Sequence, residues 1–210
     1  MMILQVKGGK TLKKNGINIS VWDGVEAAEL YFEGYMARII PELGGNVVKL
    51  SYNGEDILKA PEDLEGYKKS QNNFGIPHLF PPNRIKGGRF SFDGREYNFP
   101  VKPSGNSLHG FLHFSRWKVE SKKTDEKYIS LKLSYISSEN SSHFSYFPHT
   151  FKCVREYILN KDGLEERYYV ENLGRETMPL SLGYLTILEL QDTGLHCTMI
   201  IIKIQRSIIL

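Results

Sequence analysis

Two short polar motifs set among aromatic residues are the strongest chemical signal in this chain. Asn83-Arg84 follows Phe80-Pro81-Pro82, and Asn106-Ser-Leu-His109-Gly110 comes about twenty residues later, across an Asp93-Gly94 turn. A hairpin there returns the chain close to its start, so Arg84 and His109 can face one pocket. A planar guanidinium fork, an imidazole that titrates near neutrality and nearby ring faces suit a neutral polyhydroxyl ligand such as a sugar. A plainer reading pairs Arg84 with a carboxylate and has His109 cap a turn, and on spacing alone that reading is preferred. His109 and His113 also form a His-x-x-x-His pair. Gly110 breaks any helix there, and no Glu follows the first histidine as a metalloprotease base, so no metal site is expected. No phosphate-cradling glycine motif and no Gly-x-Ser-x-Gly nucleophile are present.

The elements that must carry these motifs are strands. Glu29–Phe32 and Tyr35–Ile40 flank Gly34, and Asn46–Tyr52 runs between Gly44-Gly45 and Asn53-Gly54. Arg89–Phe92, Asp93-Gly94 and Arg95–Phe99 form the clearest hairpin, its aromatics alternating on both arms. A second hairpin is expected from Lys152–Leu159, through Lys161-Asp162-Gly163, to Leu164–Val170. Short strands with turn signals every 8–12 residues point to a sandwich or barrel. Pro61–Tyr67 has room for one helical turn, and the irregular stretch from Lys68 to Pro103 has the makings of a functional loop.

Composition narrows the function classes. The 210 residues carry 27 Lys+Arg against 24 Asp+Glu, a formal charge of +3, and offer no reason to expect a nucleic-acid partner. No apolar run approaches the roughly 18 residues of a membrane span, and the N-terminus lacks a signal-peptide core, so a cytoplasmic protein is expected. Two cysteines, Cys153 and Cys197, make no disulfide framework. The Asn18-Ile-Ser20 and Asn140-Ser-Ser142 sequons are read as chance matches. Composition changes after Tyr184. The last 26 residues contain no Phe, Trp or Tyr, in a chain that is 12% aromatic, and seven of them are isoleucine.

The string from Phe74 to Tyr97, containing Phe-Pro-Pro-Asn83-Arg84, resembles the aldose 1-epimerase (galactose mutarotase) family. Asn106-Ser-Leu-His109-Gly110 is similar to that family's Leu-His-Gly signature. A third similar stretch runs from Phe147-Pro-His-Thr-Phe151, through Tyr157 and Asn172, to Met178-Pro-Leu-Ser-Leu-Gly-Tyr184. The resemblance covers residues 25 to 184. It implies an all-β fold, the twisted β-sandwich of the mutarotase-like supersandwich, incomplete at its C-terminal end. It also implies interconversion of the α and β anomers of an aldose such as glucose or galactose, with no metal or organic cofactor. An acid protonates the ring oxygen, a carboxylate base takes the C1 hydroxyl proton, and the opened chain rotates before it recloses. Carried over, Asn83, Arg84 and His109 contact the monosaccharide, and His109 is the catalytic histidine. The family's general-acid histidine falls at Leu185, and its sugar-binding aspartate and catalytic glutamate fall further downstream, with no match here. Residues 1–184 are thus expected to form the mutarotase-like domain and 185–210 a divergent tail, most simply the product of a reading-frame shift. Activity is expected to be impaired. A non-catalytic carbohydrate-binding module, or a non-functional fragment, is the alternative. Neither the particular aldose nor the oligomeric state follows from the sequence.

Overall fold

The computed structural model describes residues 14–186 and residue 188. Its strands are β1 (Gly16–Trp22), β2 (Val25–Phe32), β3 (Tyr35–Ile40), β4 (Asn46–Tyr52), β5 (Glu55–Asp56), β6 (His78–Leu79), β7 (Arg84–Lys86), β8 (Arg89–Phe92), β9 (Arg95–Asn98), β10 (Asn106–Leu108), β11 (Lys118–Thr124), β12 (Tyr128–Ser137), β13 (Phe151–Asn160), β14 (Gly163–Asn172) and β15 (Gly183–Tyr184). One helical turn, α1 (Leu64–Lys69), is capped by the Asp63 carboxylate, which accepts from the Gly66 N–H. Among the described residues no helix is long and apolar enough to cross a membrane.

Two antiparallel sheets form the body. β1-β2-β3-β4-β5 is one and β11-β12-β13-β14 the other. Alternation in each strand gives an apolar inner face, and these faces meet. Leu30, Phe32, Ile39 and Leu50 of the first sheet share one core with Leu131, Leu133, Tyr157 and Leu159 of the second. An aromatic layer built on Phe80, Phe111, Phe147 and Phe151 continues that core toward the loops, with ring centroids 5.4–6.0 Å apart. The second expected hairpin forms as β13 and β14, paired from Phe151↔Asn172 to Asn160↔Gly163.

The β8–β9 hairpin forms as expected, but one of its faces does not. Phe90 stacks on Tyr97 at 4.7 Å, and Tyr97 and Phe99 are buried, whereas Phe92 is 37% exposed. Phe92 shares parity with Phe90 but lies beside the turn, past the end of the core. The irregular stretch between Lys68 and Pro103 resolves into two- to four-residue strands. Two of them, β6 and β7, are paired by segments far along the chain, β15 and β10. The expectation for the tail after Tyr184 lies almost wholly outside the described residues; Leu185 N–H donates to the Pro77 carbonyl at 3.3 Å.

Candidate active site

Asn83, Arg84 and His109 meet at one end of the β7–β10 pair. Leu108 lies opposite Arg84 in the register, and the next step is a hydrogen bond from the His109 N–H to the Asn83 carbonyl at 3.0 Å. Both residues of that bond have left-handed backbone, φ 64° each. Asn, Asp and His tolerate this conformation best, and it recurs at Asp23, Glu33, Asn53 and Asp93, so here it marks a tight turn. Gly110 follows with φ 64° as well, and a Cβ there would lie 1.8 Å from the Phe80 carbonyl oxygen. The chain therefore needs glycine where Phe80 and Gly110 form a bridge, and the Phe111 N–H donates to the same carbonyl at 3.2 Å.

The side chains at this end bear on both readings of the sequence. Arg84 is exposed and makes no ion pair among the described residues, so the expected carboxylate partner is absent there. His109 takes part in the turn through its backbone, while its ring Nδ1 is buried and unpartnered. Burial first, then the positive charges of Arg84 and Lys102, hold the His109 pKa below its ordinary value. The imidazole is thus neutral at pH 7, with one N–H donor and one lone pair. His113 lies in the short 3-10 turn Leu112–Phe114, buried, with its pKa lowered to about 3 chiefly by burial. Among the described residues no group of three or more His, Cys, Asp or Glu is arranged to hold a metal ion.

A buried polar cluster, missed in the sequence, lies deeper. Arg155 on β13 is fully buried and forks onto Glu166 of β14, Nε to Oε1 at 2.6 Å and Nη2 to Oε2 at 3.2 Å. Its Nη1 donates to the Gly44 carbonyl at 2.8 Å and to His78 Nδ1 at 2.7 Å. That contact makes Nδ1 the lone-pair nitrogen and leaves the His78 proton on Nε2. The Tyr157 hydroxyl donates to the Gly45 carbonyl. Arg155 and Tyr157 thus tie the second sheet to the Gly44-Gly45 turn of the first. The signal was present in the strand: in Phe151-x-Cys153-x-Arg155-x-Tyr157-x-Leu159, arginine occupies an inward position. An inward arginine demands a carboxylate at an inward position of a neighbour, which is where Glu166 stands.

Comparison with known proteins places this geometry. The family model described as aldose 1-epimerase matches residues 28–201, a range that continues past Tyr184. Galactose mutarotase of Rattus norvegicus is 44% identical over 55 residues, 26% of this chain and 16% of that protein. A galactose mutarotase-like protein from Clostridium acetobutylicum superposes with a TM-score of 0.78 at 34% identity, over 82% of this chain and 53% of that one. A protein from Synechocystis gives a TM-score of 0.68 at 25% identity, over 83% of this chain and 58% of that one. The chain thus spans somewhat over half the length of these solved structures.

Proposed function

The chain belongs to the aldose 1-epimerase family, and on that premise we propose that the Asn83–Arg84–His109 end of β7 and β10 receives the pyranose ring of an aldose of the glucose or galactose type. The observation that carries this reading is an exposed arginine, without an ion pair among the described residues, held next to a histidine through the hydrogen bond between His109 and Asn83. A sugar supplies hydroxyl oxygens that accept from the guanidinium and exchange hydrogen bonds with the imidazole nitrogen that is not buried. Asn83 holds His109 through its backbone carbonyl. In anomer interconversion His109 exchanges a proton or a hydrogen bond with the oxygens around C1 as the ring opens.

Turnover by this chain is proposed to be low. Ring opening needs an acid at the ring oxygen and a base at the C1 hydroxyl together. By the family resemblance the acid's place is held by Leu185, whose side chain carries no proton to give. Each lost partner removes roughly 10²–10⁴-fold. A non-catalytic sugar-binding role is the second reading, and Leu185 beside an intact Arg84 favours it. Polarimetry on freshly dissolved α-D-galactose and α-D-glucose tests turnover. Equilibration close to the spontaneous rate is expected, and enzyme-like acceleration refutes the low-turnover reading. Calorimetric titration with galactose tests the site. Arg84→Ala is expected to weaken binding about tenfold, and unchanged affinity removes Arg84 from it.

A further inference from the structure

A cleft opens beside the Leu108–Gly110 segment. Its volume is about 600 Å³, and Leu108 and Gly110 line it, whereas Asn83, Arg84 and His109 do not. That size is in the range of small-molecule sites, roughly 300–1,000 Å³. Three stretches distant in sequence build it, around Phe99, Phe111 and Tyr146, so it is a product of the tertiary fold. The walls are held rigidly. Phe111 stacks on His143 at 3.8 Å, and His143 is fixed in turn by the Ser137 hydroxyl at 2.9 Å. Phe99 and Tyr146 lie 5.0 Å apart. Phe114, also lining the cleft, is 52% exposed.

The charges point one way. Lys102 and Arg116 line the cleft, and no aspartate or glutamate does among the described residues. Arg116 gives one nitrogen to Glu42, 2.5 Å away and outside the lining, while Lys102 makes no ion pair among the described residues. Ring faces beside an unneutralised ammonium match a molecule with an apolar ring face and an anionic substituent.

We propose that this cleft, framed by Phe99, Phe111, Phe114 and Tyr146 with Lys102 at its edge, binds an anionic sugar, the anion a carboxylate or a phosphate, at a position separate from the Arg84–His109 end. Phe99 and Phe111 are buried and form the floor, so the sugar ring lies against Phe114 and half-buried Tyr146 and the anion meets Lys102. The two sites are neighbours, since Leu108 and Gly110 flank His109 and Lys102 acts on its charge, but the proposal rests on the cleft's own lining, so Phe114→Ala tells its failure from that of the Arg84–His109 reading.

Calorimetric titration of the full chain at low salt with D-galacturonate, D-galactose 1-phosphate and neutral D-galactose tests this. Binding of either anion about tenfold more tightly than galactose in the Arg84→Ala background supports the proposal. Lys102→Gln is then expected to lower the affinity for the anion about tenfold, and added salt to weaken it. Phe114→Ala should weaken it as well, and both side chains are exposed, so neither change threatens the fold. Equal affinity for galactose and both anions overturns the proposal, as does absence of binding in the Arg84→Ala background. Anion binding that Lys102→Gln and Phe114→Ala leave unchanged overturns it too.

Discussion

Acidification should destabilise this protein through His113, by an amount that follows from its burial. The free imidazole titrates near 6.5, and in the fold His113 is held at about 3, mainly by burial and then by the positive charges of His109 and Lys102. Between those values the unfolded chain binds a proton that the folded chain refuses, so stability rises with pH across the window. The full contribution is present above about pH 6.5, falls as pH drops toward 3 and levels off below. One group of this kind costs about 1.4 kcal/mol per pH unit once the unfolded imidazole is protonated, which gives about 2 kcal/mol between pH 7 and pH 5. Urea unfolding at those two pH values, followed by the fluorescence of Trp22 and buried Trp117, measures it. His113→Leu removes the titrating group. The variant is therefore expected to lose about 2 kcal/mol less than the parent over the same interval, whatever its stability at pH 7. His78 and His109, which interact electrostatically with His113, are present in both proteins, so the difference between the two reports His113 together with that coupling. Equal losses in the two would refute the argument that His113 is buried as a neutral imidazole.

Four further outcomes follow from the packing. Arg155→Met leaves Glu166 as an uncompensated buried charge and should cost about 3–5 kcal/mol, whereas Arg155→Met with Glu166→Leu should cost much less; a double-mutant cycle in urea gives the coupling directly. Gly110→Ala meets both a left-handed backbone and the Phe80 carbonyl, so a loss of more than about 1 kcal/mol is expected in thermal unfolding. Phe147→Ala, in the middle of the aromatic layer, should cost about 3–5 kcal/mol. Phe92→Ala, at the exposed turn, should fall within about 0.5 kcal/mol of the parent, a difference that the same melts resolve.

Much of the fold was legible in the sequence because strand patterns are local. Alternation over β2, β3, β4, β13 and β14, with Asn-Gly and Asp-Gly at the turns, specifies strands and their neighbours within ten or so residues of chain. The motifs around Asn83-Arg84 and Leu108-His109-Gly110 were equally plain, since each is a short continuous string. β11 was not singled out, because Lys118–Thr124 is mostly charged and exposed and carries little hydrophobic period; β12 was missed although Ile129, Leu131, Leu133 and Tyr135 alternate along it.

What only the tertiary structure decided is which residues face each other across long separations. Arg155 contacts His78 over 77 residues and Gly44 over 111, and no local rule selects those partners. Burial selects them, because a guanidinium in the core must find acceptors wherever the fold supplies them. The same holds at the site. Sequence placed Arg84 and His109 in one region but left their partners open, and among the described residues the structure shows one without an ion pair and the other with a buried, unpartnered ring nitrogen. The left-handed backbone at Asn83 and His109 is likewise a tertiary outcome. Nothing in Asn83 or His109 alone demands it; the close approach of Phe80 to Gly110 and the bond between their neighbours impose it, since a strained conformation persists only where its surroundings hold it.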